Sequence, residues 1–519
     1  MAPNSRSHET ISRLSKIDEV NIEEIVIVQE QEWLFDDAIN LIGFGLVQYR
    51  MIFICGLMLM AALNETMGMM FLMTPAQCDL ELNSFAKGLL TSSSYFGIMI
   101  PSYMWGYISD RYGRRKVIIY TLFATSVMAV CSSLSRTFFW FLFFRFWTGF
   151  FISAASGGMY PYLGEFNTMK NRPTVMAWCS CGTGISMTAA PIIAWAILSL
   201  NIEFTIYEGF VFHSWRLIII AYTLPGLLAA IFLIYCPESP KFYMAQGCEL
   251  KALKVLEWIF ITNTRQELKH FPVKRLAPEV DNGPHLGDSS QLQVIWKQTK
   301  QLFQPPYIKN FLIAAYIQTS IFISSGALGL WFPELLNRFS NSDSTGTICE
   351  VITGALNTSI AINGNMTVTQ DCDNSVSSEA FINSVMVGVY YTLGYVLISM
   401  LMKPLGRGWI LGFSLFGSAI SGFVLQWITI PILEIIFFSA FLVLSGLMIS
   451  VISGTAVMLF PTHIRAMAVC VILMVGRIGT STGSSIVGLT IESHCEETFA
   501  VITAMVFVAA IFNFFLPSR

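Results

Sequence analysis

Twelve predominantly apolar runs, most of about 18 to 26 residues, dominate this chain, and a run of that length crosses the hydrocarbon core of a bilayer as one helix. They lie near Met51–Met73, Ala86–Ile108, Val117–Leu134, Phe138–Leu163, Val175–Leu200 and Trp215–Cys236. A second set follows near Asn310–Leu335, Phe381–Met402, Gly408–Thr429, Pro431–Leu459, Ala466–Ile491 and Phe499–Leu516. Charged or Pro/Gly clusters separate nearly every pair. With 54% of residues apolar and 12% charged, a soluble core could not hide this much apolar sequence. The expected fold is an all-α membrane protein of twelve transmembrane helices in two pseudo-symmetric six-helix bundles.

Charge orients the bundle. Placing both termini in the cytoplasm puts 24 of the 30 Lys and Arg residues in cytoplasmic segments and leaves Lys87, Arg136 and Arg338 on the opposite side. The expected organisation is a cytoplasmic segment with an amphipathic lead-in helix (1–49), a six-helix bundle (50–236), a cytoplasmic central loop (237–309), a second bundle (310–516) and a short cytoplasmic tail (517–519). Within the lead-in, Asp37 to Ile42 also fits a loose acidic di-leucine sorting pattern. The net charge of −3 carries no basic signature, so no nucleic-acid partner is expected. The 11 cysteines form no CxxC pair, and no metal or other cofactor is expected. A nucleotide-binding loop, a GxSxG elbow and a HExxH pair are all absent, so the chain does not read as an enzyme.

The outer loop from Asn337 to Ala380 carries two glycosylation sequons, at Asn357 and Asn365. A third, at Asn64, falls inside the first span and should be unreachable. Cys349 and Cys372 share that loop in an oxidising compartment and are the expected disulfide, with Cys78 and Cys495 on the same side as rivals.

Between spans two and three runs Gly106-Tyr107-Ile108-Ser109-Asp110-Arg111-Tyr112-Gly113-Arg114-Arg115-Lys116, which resembles the GxxxDxxGRR signature of the major facilitator superfamily. In that reading Gly106 permits close helix approach, Gly113 permits a tight turn, and Asp110 accepts charge-assisted bonds at an inner gate. Arg145 with Gly149, and Glu165 with Arg172, resemble the fourth-span pattern of the sugar and organic-ion branch. Pro237-Glu238-Ser239-Pro240-Lys241 and Phe460-Pro461-Thr462-His463-Ile464-Arg465-Ala466 resemble its PESPR and FPTxxRA motifs. Within the branch, Leu59-Met60-Ala61, Trp215-Arg216, Trp331-Phe332-Pro333-Glu334 and the long loop after span seven are most similar to the synaptic vesicle glycoprotein 2 family and related orphan transporters. Three departures stand out. Ala62 replaces an acid usual in span one, Lys403 stands where Asp is expected before Gly406 and Arg407, and Met458 stands where Glu is usual.

The resemblance implies a secondary transporter of a small organic solute, coupled to protons or sodium or facilitative, in an intracellular vesicle or the plasma membrane. Its inner gate would comprise Gly106, Asp110, Gly113, Arg114, Arg115, Arg145, Glu165, Arg172, Glu238, Arg407 and Arg465. Intramembrane charges default to functional readings. Glu65, mid-span, reads either as a proton or cation site or as a structural residue. Arg477 reads either as a partner for a substrate anion or as packed on backbone carbonyls. Glu334 and Glu434 read as rim charges. Trp178, Tyr316, Gln318, Tyr390 and Tyr391 are candidate cavity residues. The alternative function is a non-transporting, transporter-like vesicle protein whose outer loop or N-terminal tail binds a protein partner.

Overall fold

The computed structural model describes residues 32–99, 101–207, 210–277, 299–340, 346–351, 376–460 and 462–517. Asn357, Asn365 and Cys372 lie outside these residues, as does most of the acidic N-terminal segment.

A two-residue strand β1 (Glu32–Trp33) leads into helix α1 (Phe35–Ile42), which buries Phe35, Ala38, Ile39 and Ile42. The lead-in helix is therefore short and packed, and burial of Ile42 removes half of the di-leucine pair from the surface. The first half then comprises α2 (Leu46–Thr66, prolonged by a 3₁₀ stretch to Phe71), α3 (Ser84–Met99), α4 (Ser102–Tyr112), α5 (Arg114–Ser133), α6 (Phe138–Glu165), α7 (Arg172–Leu198) and α8 (Ser214–Ile234). Between α7 and α8 an antiparallel hairpin, β2 (Glu203–Tyr207) and β3 (Phe210–His213), projects from the end opposite the basic cluster.

The central segment forms α9 (Pro240–Ala245), α10 (Glu249–Thr264) and β4 (Arg275–Leu276), the last pairing in parallel with β1. The second half comprises α11 (Ile308–Ile321), α12 (Leu328–Ser340), α13 (Ser378–Leu405), α14 (Arg407–Val424), α15 (Pro431–Leu459), α16 (Thr462–Thr490) and α17 (Cys495–Asn513). Among the described residues, eleven helical stretches are long and apolar enough to cross a membrane. The remaining expected span is divided into α3 and α4 around Pro101, where proline removes a helical hydrogen bond. Spans seven and eight are longer than their apolar runs, because α12 continues to Ser340 and α13 to Leu405. Between α11 and α12 a π-helical stretch, Phe322–Ala327, interrupts the seventh span, and the Phe322 carbonyl accepts from Thr480 Oγ1 at 3.0 Å.

The halves meet along two helix pairs, α3 with α16 and α7 with α13. Small residues set both approaches. A Cβ on Gly88 would lie 2.9 Å from the Ser484 carbonyl, and one on Gly388 would lie 2.5 Å from the Thr188 amide. Gly97 and Gly149 do the same within the first half, where an added Cβ would run into the Phe146 and Ser94 carbonyls respectively. Gly106 was the expected site of close approach, but a Cβ there would meet nothing within 4 Å. The close approach lies one helical segment back, at Gly97.

Candidate functional site

At the basic end, α5 begins at Gly113, whose φ of +103° favours glycine, and an added Cβ would lie 2.5 Å from Glu238 Oε2. Glu238 is buried, and its Oε1 accepts from the Arg115 amide at 2.9 Å and the Ser239 amide at 3.1 Å. Arg115 donates to the Leu233 and Ile234 carbonyls at 2.8 and 2.6 Å, closing the C-terminus of α8. Arg114 bridges Glu165 at 3.0 Å and Asp110 at 3.2 Å, and Arg172 donates to the Gly164 and Asn167 carbonyls after α6. Partial burial, then the neighbouring Glu238 charge, pushes the Tyr243 hydroxyl above its ordinary range. Asp110, Gly113, Arg114, Arg115, Glu165, Arg172 and Glu238 thus form one network, with Glu238 contributed by the start of the central segment and the rest by the first half. Arg407 sits apart, donating to the Gly454 carbonyl at 3.3 Å. The Arg465 side chain lies outside the described residues.

Below this network α10 is stitched to α2. Asn263 Oδ1 accepts from the Val47 amide and its Nδ2 donates to Gln48 Oε1, both at 2.9 Å, while Gln48 Nε2 donates to the Phe166 carbonyl at 3.1 Å.

Arg145 does not belong to the inner gate. It lies about twenty residues before Glu165 on the same helix, roughly 30 Å away along its axis. Fully buried, it donates to Glu65 Oε2 at 2.9 Å and to Ser132 Oγ at 3.0 Å, with Phe141 against its guanidinium. Glu65 is correspondingly not mid-span. It is position 20 of the 26-residue helical span Leu46–Phe71, nearer the end opposite the basic cluster, and its Oε1 has no hydrogen-bond partner among the described residues. Beside it Asn64 is fully buried and accepts from Ser186 Oγ at 3.0 Å, so the third sequon is enclosed.

The expectation missed a polar seal between the halves at the end opposite the basic cluster. Lys87 of α3 meets Glu334 of α12 at 2.5 Å with both side chains almost fully buried, and Thr74 Oγ1 donates to the same carboxylate at 2.5 Å. Arg338 pairs with Glu334 at 3.1 Å and with Glu492 at 3.2 Å, and Ser84 hydrogen-bonds Glu492. Deeper in, Thr91 meets Ser484 and Ser92 meets Ser485, each at 2.8 Å. Glu334 is therefore a buried junction rather than a rim charge.

Two aromatic candidates are packing residues. Tyr391 donates to the Leu442 carbonyl at 2.9 Å, and Tyr316 donates to the Met505 carbonyl at 3.4 Å against the edge of Phe512. Tyr390 and Trp178 are exposed on their helices, at 43% and 64%. Gln318 is fully buried, and among the described residues neither amide atom has a hydrogen-bond partner. The expected disulfide is also corrected, since Cys349 pairs with Cys495 across 146 residues of sequence. The short helical turn at 348–351 rests against the start of α17, which brings that rival within a 5.6 Å Cα separation. Cys78 is disulfide-bonded as well. A groove of about 350 Å³ between α16 and α17, lined by Ile486, Val501 and Met505 among others, is largely apolar and contains none of the candidate residues.

Two six-span halves, closed on each other at one face and carrying a buried ion pair, define a multi-pass integral membrane protein built like a solute carrier. The chain belongs to the Major Facilitator Superfamily, whose pattern matches residues 53–367. It is 26% identical over 336 residues to human synaptic vesicle glycoprotein 2C, covering 61% of this chain and 46% of that protein. It is 27% identical over 325 residues to rat synaptic vesicle glycoprotein 2A, covering 58% and 43%. The chain thus spans somewhat under half the length of these curated relatives. The Escherichia coli xylose transporter XylE, in a partially occluded inward-open conformation, superposes with a TM-score of 0.62 at 14% identity, covering 91% of this chain and 100% of XylE. XylE as a proton:xylose symporter bound to 6-bromo-6-deoxy-D-glucose also gives 0.62, at 16% identity, covering 91% and 96%. These likenesses establish the fold.

Proposed function

We propose that the protein is a secondary transporter of a small organic solute that works by alternating access. The observation that carries this reading is the polar seal at one end of the interface, where Lys87–Glu334 and Ser84–Glu492 join the two halves. Charge pairs and hydroxyl contacts can be exchanged for water as the halves rock, which a continuous apolar interface resists. The Major Facilitator Superfamily is a family of carriers, and the XylE likeness supports the same architecture.

Glu65 is the coupling site in this proposal. One carboxylate oxygen is held by Arg145 and the other is unpartnered, so a proton can be taken up with loss of the ion pair. The basic end faces the cytoplasm with both termini. The Cys349–Cys495 disulfide supports placing the opposite face in an oxidising compartment, whether a vesicle lumen or the cell exterior.

The test is uptake of a mixed metabolite pool into sealed vesicles bearing the protein, with and without a pH gradient, beside Glu65→Gln. A solute accumulating only with the gradient and wild-type Glu65 is the expected result, and gradient-independent equilibration would make the protein a uniporter. A second reading, a receptor or trafficking partner of transporter shape, is favoured by Lys403 and Met458 at positions where the family carries acids. No movement of any solute by folded, oriented protein selects that reading.

A further inference from the structure

The ionisable groups inside the described spans are almost all balanced. Glu65 holds Arg145 at 2.9 Å, Lys87 holds Glu334 at 2.5 Å, and Arg216 faces Asp79 at 3.7 Å while donating to the Ser133 and Ser135 carbonyls. Among the described cations away from the span ends, Arg477 is the exception. It sits near the middle of α16 and is half-buried. Among the described residues it has no ion pair and no hydrogen bond, and the groups that act on it electrostatically are Tyr95 and Cys470, neither of them a carboxylate. Arg115, Arg145, Arg172 and Arg216 each make at least one hydrogen bond to a carbonyl, hydroxyl or carboxylate. An unpaired guanidinium at this depth is costly unless something else completes it.

Its position is fixed by the antiparallel register of α3 and α16. From the sealed end inward the contacts run Ser84 with Glu492, Gly88 with Gly488, and Thr91 and Ser92 with Ser484 and Ser485. Tyr95 follows one turn deeper and faces Arg477. The guanidinium therefore lies about two helical turns below the Ser484 and Ser485 contacts, on the stretch of α16 that faces α3. Two buried polar side chains without hydrogen-bond partners among the described residues lie on adjoining turns. Ser481, one turn along α16, has an unbonded hydroxyl, and Gln318 has both amide atoms unbonded. The Gln318 side chain packs against the residue preceding Arg477, since a Cβ on Gly476 would lie 3.0 Å from its Cγ. The π-helical interruption of span seven begins one turn beyond Gln318. Glu434, which also lacks an ion pair among the described residues, does not answer this charge. It lies in the first turn of α15 at the sealed end, roughly 15 Å shallower than Arg477, beside the Ile348 backbone.

We propose that Arg477 is an anion subsite of the transport pathway and that the transported solute carries a carboxylate, with Gln318 and Ser481 completing its hydrogen bonds. A single guanidinium neutralises one negative charge and presents the planar fork that matches a carboxylate. This deepens the transporter reading and rests on it for the word transported, while the binding site can be tested without transport.

The experiment uses purified full-length protein and a panel of monocarboxylates (acetate, lactate and benzoate), each beside its neutral amide. Thermal stabilisation is titrated for wild type, Arg477→Lys and Arg477→Gln, with gel filtration confirming that each variant is folded. At least one carboxylate should stabilise wild type while its amide does not, with affinity intermediate for Arg477→Lys and at least tenfold weaker for Arg477→Gln. An unchanged response in Arg477→Gln, or no response of wild type to any of the three carboxylates, overturns the proposal. The stabilising carboxylate is then offered in radiolabelled form to proteoliposomes. Binding without uptake keeps the subsite and removes the transporter reading, whereas uptake of neutral solutes that no carboxylate inhibits keeps the transporter and removes the subsite.

Discussion

The seal at the end opposite the basic cluster makes an asymmetric prediction. Lys87 and Glu334 are 3% and 4% exposed and 2.5 Å apart, but their dependence on each other is unequal. Without Lys87, Glu334 still accepts from Arg338 at 3.1 Å and from Thr74 at 2.5 Å. Without Glu334, Lys87 keeps no ion pair among the described residues. Removing one member of a buried pair costs about 3–5 kcal/mol when the other is stranded, so Glu334→Leu should weaken the closed face by about 3 kcal/mol or more and Lys87→Met by about half of that. At about 1.4 kcal/mol per tenfold, Glu334→Leu shifts the equilibrium toward opening of this face by roughly two decades. The double variant strands neither charge and leaves Arg338 on Glu492 at 3.2 Å, so it should close better than Glu334→Leu alone. The assay is labelling by a membrane-impermeant maleimide of Cys introduced at Thr91, a fully buried position in the seal, against the same backgrounds lacking that cysteine. Equal labelling in the two single variants, or a double variant more open than Glu334→Leu, would refute the argument.

Three further outcomes follow from geometry. Gly113→Ala should lower the thermal midpoint of the purified protein by several degrees, because of its positive φ and the 2.5 Å approach to Glu238, while Gly106→Ala should leave it unchanged; equal effects would contradict the packing described. Asp110 is 69% exposed and, among the described residues, bonded only to Arg114 of its own signature, so Asp110→Asn should change stability by less than about 0.5 kcal/mol, whereas Glu165→Gln, 13% exposed, should cost about 1–3 kcal/mol in the same thermal assay. Peptide mapping under non-reducing conditions should recover Cys349 linked to Cys495, and recovery of Cys349 linked to Cys372 would restore the pairing expected from sequence.

What could be read from the sequence was whatever has a period or a local pattern. Apolar run length marked the spans, and the Gly113 to Lys116 signature marked a turn whose contacts at Glu238, Leu233 and Ile234 are those of neighbouring loops. Interactions between distant segments were not legible in that way. Arg145 resembles part of a motif, but its depth follows from the direction α6 runs, and a helix carries it roughly 30 Å from the network its motif suggested. Cys349 found the rival 146 residues away because a four-residue turn lies against α17, not because of loop spacing.

The seal nonetheless left a trace. The sequence expectation sets Lys87, Arg136 and Arg338 against 24 basic residues on the other side, and two of the three are the cations that hold Glu334. A positive charge retained against the topological rule calls for a specific anion, and here the anion was the glutamate ending the Trp331 to Glu334 motif. The same logic applied inside the bilayer separates Arg145 from Arg477. Both interrupt apolar helices, but Arg145 is answered by Glu65 and Ser132 while Arg477 is answered by no acid among the described residues. The exceptions to a compositional rule therefore carry information about contacts that periodicity does not, and an exception without a protein partner points to a ligand.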